Sequence, residues 1–188
     1  MKSIFLLLKD IENVIQEYFE TYPVDEKPEK DLIPAGLTKI PTYIGHLIPR
    51  KSQSNDLLGE APFIIIRSMD GTQKYNQENA LTHEVNVSIF ACLHNQESET
   101  NTDAGYHDIL NVMERIMLAL NSKQYWGDNY WKLKDELQWT TGTEKEITTI
   151  YGAGQQQHPK YGASIKMVFE NFVVKPPSLS SIGGGPRR

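Results

Sequence analysis

The hydrophobic period of the chain changes once, sharply, within residues 83–121. Over residues 84–93 apolar and polar residues alternate, with Val85, Val87, Ile89, Ala91 and Leu93 on one parity. That is the period-two signature of a half-buried strand. A polar loop follows at 94–101. Then Tyr106, Ile109, Leu110, Met113, Ile116, Met117 and Leu120 recur at spacings of three and four, which predicts an amphipathic helix over 102–121. A strand handing its apolar face to a helix across the sheet is the frame on which the other segments are placed.

Upstream, residues 3–20 predict a helix. Ser3 stands at the capping position, and Ile4, Leu7, Leu8, Ile11, Val14, Ile15, Tyr18 and Phe19 form a broad apolar face. Pro23 closes it, and the charged, proline-bearing stretch 24–38 predicts an exposed loop. Residues 38–48 predict a strand interrupted by Pro41 and Gly45, which favours an edge position or a bulge. After a polar loop at 49–60, the β-branched run Phe63-Ile64-Ile65-Ile66 predicts a central strand buried on both faces. Met69-Asp70-Gly71-Thr72 predicts the turn that ends it, Asp-Gly being a strong turn pair. Residues 75–81 are read as a loop or short edge segment.

Downstream, 122–130 predicts a loop carrying Tyr125 and Trp126. Trp131, Leu133, Leu137 and Trp139 share a parity over 131–140, as one strand or two short ones. A last strand is predicted at 161–174, with Tyr161, Ala163, Ile165, Met167 and Phe169 on one face. Beyond Lys175 the Pro-, Ser- and Gly-rich end cannot build a core and predicts a flexible arm, residues 175–188. The pattern therefore predicts an α+β fold: one domain over 1–174, a single mixed or mostly antiparallel β-sheet with two α-helices packed on one face, plus an extended C-terminal arm.

Composition narrows the class of function. At 188 residues, 39% hydrophobic and 23% charged, the chain is long enough for one good core. A net charge of −5 argues against a general nucleic-acid-binding surface. The single cysteine, Cys92, falls inside the alternating strand, where a small buried hydrophobe is expected; one cysteine gives no internal disulfide and suits a reducing compartment. The apolar run Ile4-Phe5-Leu6-Leu7-Leu8 ends at Lys9-Asp10, short of the ~7–15 residues a signal core needs. No stretch approaches the ~20 apolar residues of a membrane span, so a protein made and kept in a cytoplasm is expected.

A search for chemistry finds little. His94, Glu97, Glu99, Asp103, His107 and Asp108 gather carboxylates and imidazoles, but across a polar loop and a helix start. Asp103 is explained by the helix N-terminus, and Asp108 is expected to face away from the apolar stripe. A small metal-dependent nuclease would use Asp70 after one strand and Glu84 at the start of the next. The usual second strand carries Glu-x-Lys, however, and here the triplet is Glu84-Val85-Asn86. No Gly-x-Ser-x-Gly occurs, Gly183-Gly184-Gly185 has no following helix, and Cys92 has no electropositive neighbour in sequence. No catalytic residue, metal ligand or cofactor is therefore expected. The aromatic clusters Tyr125/Trp126 with Tyr130/Trp131, and Trp139 with Tyr151 and Tyr161, suit core or subunit-interface packing.

The segment Ala61-Pro62-Phe63-Ile64-Ile65-Ile66-Arg67-Ser68-Met69-Asp70-Gly71, the alternating strand 84–93, and Asp103-Ala104-Gly105-Tyr106-His107-Asp108-Ile109-Leu110 opening a helix together resemble the tail terminator proteins of long-tailed bacteriophages. Residues 137–139 and His158-Pro159-Lys160-Tyr161-Gly162-Ala163 with the closing strand are similar to the same group, and the resemblance spans most of residues 1–174. It implies a structural virion protein of the tail or neck, assembled in the host cytoplasm. Such a protein forms a ring, expected to be a hexamer, on the last ring of tail tube protein. It stops tube growth and offers a surface for head–tail joining to the connector, and DNA passes through the channel without specific binding. Another neck or head-completion protein is the neighbouring reading. Contacts with subunits or partners are expected at Arg67, Asp70, Tyr125, Trp126, Arg187 and Arg188. The arm could reach roughly 40 Å at polyproline spacing, with Arg187 and Arg188 meeting an acidic surface. The polar loops 24–38, 49–60, 70–82 and 94–101 are further candidates for contacts.

Overall fold

The computed structural model of the chain describes residues 3–21, 40–45, 62–75, 81–94, 104–141 and 160–173. Their elements are α1 (Ile4–Thr21), β1 (Thr42–Ile44), β2 (Phe63–Tyr75), β3 (Leu81–His94), α2 (Ala104–Asn121), β4 (Tyr125–Trp126), β5 (Trp131–Thr141) and β6 (Lys160–Val173). The strands form one sheet in the order β1-β2-β3-β6-β5-β4. β1 runs parallel to β2 and every other pairing is antiparallel. This is the expected α+β fold: a single mixed, mostly antiparallel sheet with both described helices on one face. The arm 175–188 and the loops 24–38, 49–60 and 95–101 lie outside the described residues.

Helix α1 begins as its sequence requires. Ser3 Oγ accepts the Phe5 N–H at 3.1 Å, and the Ser3 carbonyl accepts the Leu6 N–H at 3.0 Å, so one orphan donor of the first turn is satisfied by the cap. All eight positions of its predicted stripe are buried in the core or packed against it. On α2 the stripe is wider than the sequence pattern suggests, because Val112 and Ala119 are fully buried beside Ile109, Met113, Ile116 and Leu120. That width draws in Asp108, which is 5% exposed and does not face away. Tyr106 in turn is exposed. The helix approaches β6 through Gly105, where a Cβ would stand 1.9 Å from a ring carbon of Tyr161, so Tyr106, one residue round, points outward. The helices run antiparallel, since Asp10 pairs with Lys123 just beyond α2 while Arg115 stacks over Phe19.

The helices cover one parity of the sheet: Ile64 and Ile66 of β2, Val85, Val87, Ile89, Ala91 and Leu93 of β3, Ala163, Ile165, Met167 and Phe169 of β6, and Leu133 of β5. Each fully buried Ile or Phe here contributes about 1.5–3 kcal/mol of transfer free energy. Strands β3 and β6 stay in register along their whole length and form the centre. On the opposite face Phe63 and Ile65 lie across from Cys92 and Phe90 and all four are buried, with the two phenyl rings 6.1 Å apart. The run 63–66 is thus buried on both faces, as predicted, and Cys92 is a core residue.

Two local readings are corrected. Residues 69–72 do not turn: β2 continues to Tyr75, and only a bulge between Ser68 and Asp70 marks the site. Gly71 serves a close approach, not a turn, because a Cβ there would lie 2.9 Å from the Glu84 carbonyl oxygen. Residues 125–126, read as loop, form β4 against Lys132 and Trp131. Residues 131–141 make one strand, with an irregularity between Leu133 and Leu137.

Candidate functional site

The parts of the sheet that reach beyond the helices carry the candidate residues. From Ser68 to Tyr75 every residue of β2 is exposed, while the paired half of β3 keeps His83, Val85 and Val87 buried. On the face away from the helices, Thr72, Glu84, Glu170 and Lys132 form one row across four strands. Glu84 and Glu170 are directly opposed, and like charges so placed repel. Lys134 lies between them, its Nζ 2.6 Å from Glu84 and 3.8 Å from Glu170. The hydrogen bond from Lys134 holds Glu84 below the usual carboxylate range, against partial desolvation. The same bond raises Lys134 above the usual lysine range.

Sequence reading missed Lys134. It is 50 residues from Glu84, and only the β5–β6 and β3–β6 registers bring them together. The nuclease pair, Asp70 and Glu84, does share this face, yet each carboxylate is engaged. Asp70 accepts a hydrogen bond from Asn86 Nδ2, and Glu84 is paired with Lys134. Among the described residues no group of three or more His, Cys, Asp and Glu is placed to hold a metal ion. Of the dispersed candidates, His107 is exposed and Asp108 buried on α2, while Glu97, Glu99 and Asp103 lie outside the described residues.

The expected contact residues separate. Arg67 is half-buried and donates through Nε to the Gly45 carbonyl at 2.5 Å, fastening the end of β1 to β2. Asp70 is exposed on the outer half of β2. Tyr125 is exposed, whereas Trp126 is 0% exposed and packs edge-on to Phe169 at 6.0 Å. Trp126 therefore belongs to the chain's own core and offers no side-chain surface. Arg187 and Arg188 lie outside the described residues.

No family model and no curated protein matches the sequence. The distinctive property of the site is that, among the described residues, neither edge of the sheet is covered along its length. Strand β1 reaches only residues 64–66 of β2, and β4 reaches only residues 131–132 of β5. Among the described residues no strand lies beside 67–75 or 134–141. Exposed aromatics mark both stretches: Tyr75 on β2 is 68% exposed and Trp139 on β5 is 52% exposed. Unpaired strand edges invite pairing with another chain, and exposed Tyr and Trp suit protein contacts.

Among the described residues no helix is long and apolar enough to cross a membrane.

Proposed function

We propose that this protein is a tail terminator of a long-tailed bacteriophage, a structural subunit that closes into a ring, a hexamer, on the end of the tail tube. The ring stops tube growth and presents the surface to which the head connector joins; DNA traverses its channel without specific binding. Two lines support the reading. The sequence segments quoted above resemble that family, and the fold they imply, one mostly antiparallel sheet with two helices on one face, is the fold found. The observation that carries it is the pair of sheet edges that no described strand covers, each with an exposed aromatic. A monomer would be expected to shield such edges, and a ring subunit has a use for both.

Light scattering at several concentrations, combined with negative-stain microscopy of the full chain mixed with tail tubes, tests it. Rings, or tubes capped at one end that no longer lengthen, are expected. A protein that leaves tubes uncapped and cleaves DNA in a metal-dependent way, with cleavage abolished by Asp70→Ala, would overturn it.

A further inference from the structure

Two sheet edges are open among the described residues, and their geometry points to an occupant. We propose that the open edge of β2, residues 67–75, pairs antiparallel with the open edge of β5, residues 134–141, in a second copy of this chain, so that one sheet continues from subunit to subunit. The inference deepens the ring reading and rests on it for the closure of the chain of copies into a ring.

The backbone supplies the first argument. Ile64 N–H donates to Pro41 O at 2.8 Å and Gly45 N–H donates to Ile66 O at 2.9 Å, so Ile64 and Ile66 turn their hydrogen-bonding groups toward β1. Along an antiparallel ladder the residues turned outward alternate. They are the ones opposite Val87, Val85, His83 and Leu81 of β3: Ser68 and, past the bulge, Gly71, Gln73 and Tyr75. On the other edge Leu133 N–H reaches Gln124 O at 3.3 Å, which fixes Leu133 as turned outward. The residues of β5 in the same relation to β6 are Leu137, Trp139 and Thr141, opposite Met167, Ile165 and Ala163. Unlike β1 and β4, which each cover one end of their edge, these stretches are free at diagonally opposite corners of the sheet.

Direction and facing supply the second. β1, β2, β6 and β4 run one way while β3 and β5 run the other. When two copies stand side by side with their helices on the same face, β2 of one meets β5 of the next antiparallel. The outward-bonding residues of both edges, Gln73 and Tyr75 against Leu137, Trp139 and Thr141, then fall on the helix side together. Tyr75 and Trp139, both more than half exposed, meet there as a cross-strand aromatic pair. On the opposite side Lys74 and Glu136, both exposed, bring opposite charges to the joint. A β2–β2 pairing would instead set Tyr75 and Lys74 against their own kind and leave β5 open. The contact is heterologous, the kind that generates rings.

The test uses the full-length chain with paired cysteines. Cys92 is fully buried, so wild type provides a background without cross-links. Gln73→Cys combined with Leu137→Cys or with Thr141→Cys, treated with a short thiol-to-thiol cross-linker, should give a ladder of covalent oligomers, while each single variant stays monomeric on a denaturing gel. A dimer from Gln73→Cys alone would overturn the proposal in favour of β2–β2 pairing. Gln73→Pro is the companion variant. It removes an N–H that points away from β3, to a side where no described strand lies, so the circular dichroism spectrum should be unchanged while self-association weakens about tenfold or more. Unweakened association by a folded Gln73→Pro would also overturn it. Rings without ladders remove the edge pairing and leave the tail-terminator reading standing. Ladders that never close into rings or cap tubes uphold the pairing and remove that reading. A chain that stays monomeric alone and with tubes removes both.

Discussion

Glu84 and Glu170 face each other directly across β3 and β6, and the ammonium of Lys134 lies 2.6 Å from one and 3.8 Å from the other. The lysine converts a repulsive cross-strand pair into a bridged one beside the exposed half of β2. Replacing it with a neutral side chain of similar length, Lys134→Met, should restore the repulsion. Because these side chains are about a third exposed, the loss should be modest, about 0.5–1 kcal/mol at low ionic strength and less in high salt. The pH dependence has a definite sign. Glu84 is held below its ordinary value by Lys134, so its contribution is present above the usual carboxylate range and is lost as pH falls through its folded pKa. Lys134 is raised by Glu84, so its contribution is present below the usual lysine range and is lost as pH rises through its folded pKa. Urea melts of wild type and variant should differ at neutral pH and converge in acid and in strong base. A difference that persists in acid would show that Lys134 acts through packing, not charge.

Gly71 is the residue that lets β3 approach the bulged part of β2. An added methyl would stand 2.9 Å from the Glu84 carbonyl oxygen, a backbone atom that cannot step aside. Gly71→Ala should therefore destabilise by about 1–3 kcal/mol, the range of overpacking substitutions, despite Ala being the better residue in a strand interior. Thermal melts measure this directly; an unchanged or higher midpoint would mean that the strands separate at no cost.

That glycine also shows where legibility ended. In sequence, Asp70-Gly71 after an apolar run is a turn signal, and a glycine needed for close backbone approach has the same letter as one needed for a turn. The helices and strands β2, β3, β5 and β6 were legible because burial imposes a period that ten or more residues repeat. β4 has two residues, too few to show any period, so its burial of Trp126 beside an exposed Tyr125 left no trace. Lys134 and the open edges were out of reach for another reason. They depend on which strand lies beside which, and the order β3-β6-β5 is a property of the assembled sheet, not of any local window. What sequence did supply was the segment Phe63 to Gly71 as a place of interest, and half of it is an edge that no described strand covers.

Gly105 offers a second test of packing with a built-in control. Its Cβ would collide with the Tyr161 ring at 1.9 Å, so Gly105→Ala should destabilise by about 1–3 kcal/mol. Trimming the ring should reverse the sign. In a Tyr161→Ala background the same substitution should stabilise by about 0.5–1 kcal/mol, the ordinary helical preference of alanine over glycine. A double-mutant cycle from denaturant melts reads the coupling. Additive effects would show that Tyr161 swings clear and that α2 is not seated on β6 through Gly105.

Asp10 closes the turn between β4 and β5 from a distance. Gly127, Asp128 and Asn129 all have positive φ, at 57°, 57° and 63°, a run that costs about 1–2 kcal/mol for each non-glycine residue. Something outside the turn must hold it. The Asp10 carboxylate on α1 accepts the Gly127 N–H at 2.6 Å and the Lys123 ammonium at 2.8 Å, and that ammonium in turn sits 5.2 Å from the Trp126 ring centroid. One side chain thus joins the first helix, the end of the second and the β4 turn. Asp10→Ala leaves the Gly127 N–H and Lys123 without their partner, and should cost about 2–3 kcal/mol. Asp10→Asn keeps an acceptor for the amide but loses the ion pair, and should cost less. Because Asp10 fastens the turn that follows Trp126, Asp10→Ala should release Trp126. The tryptophan emission should shift toward that of a solvated indole before the global unfolding transition. A purely cooperative melt, with emission and circular dichroism changing together, would show that the turn needs no tether.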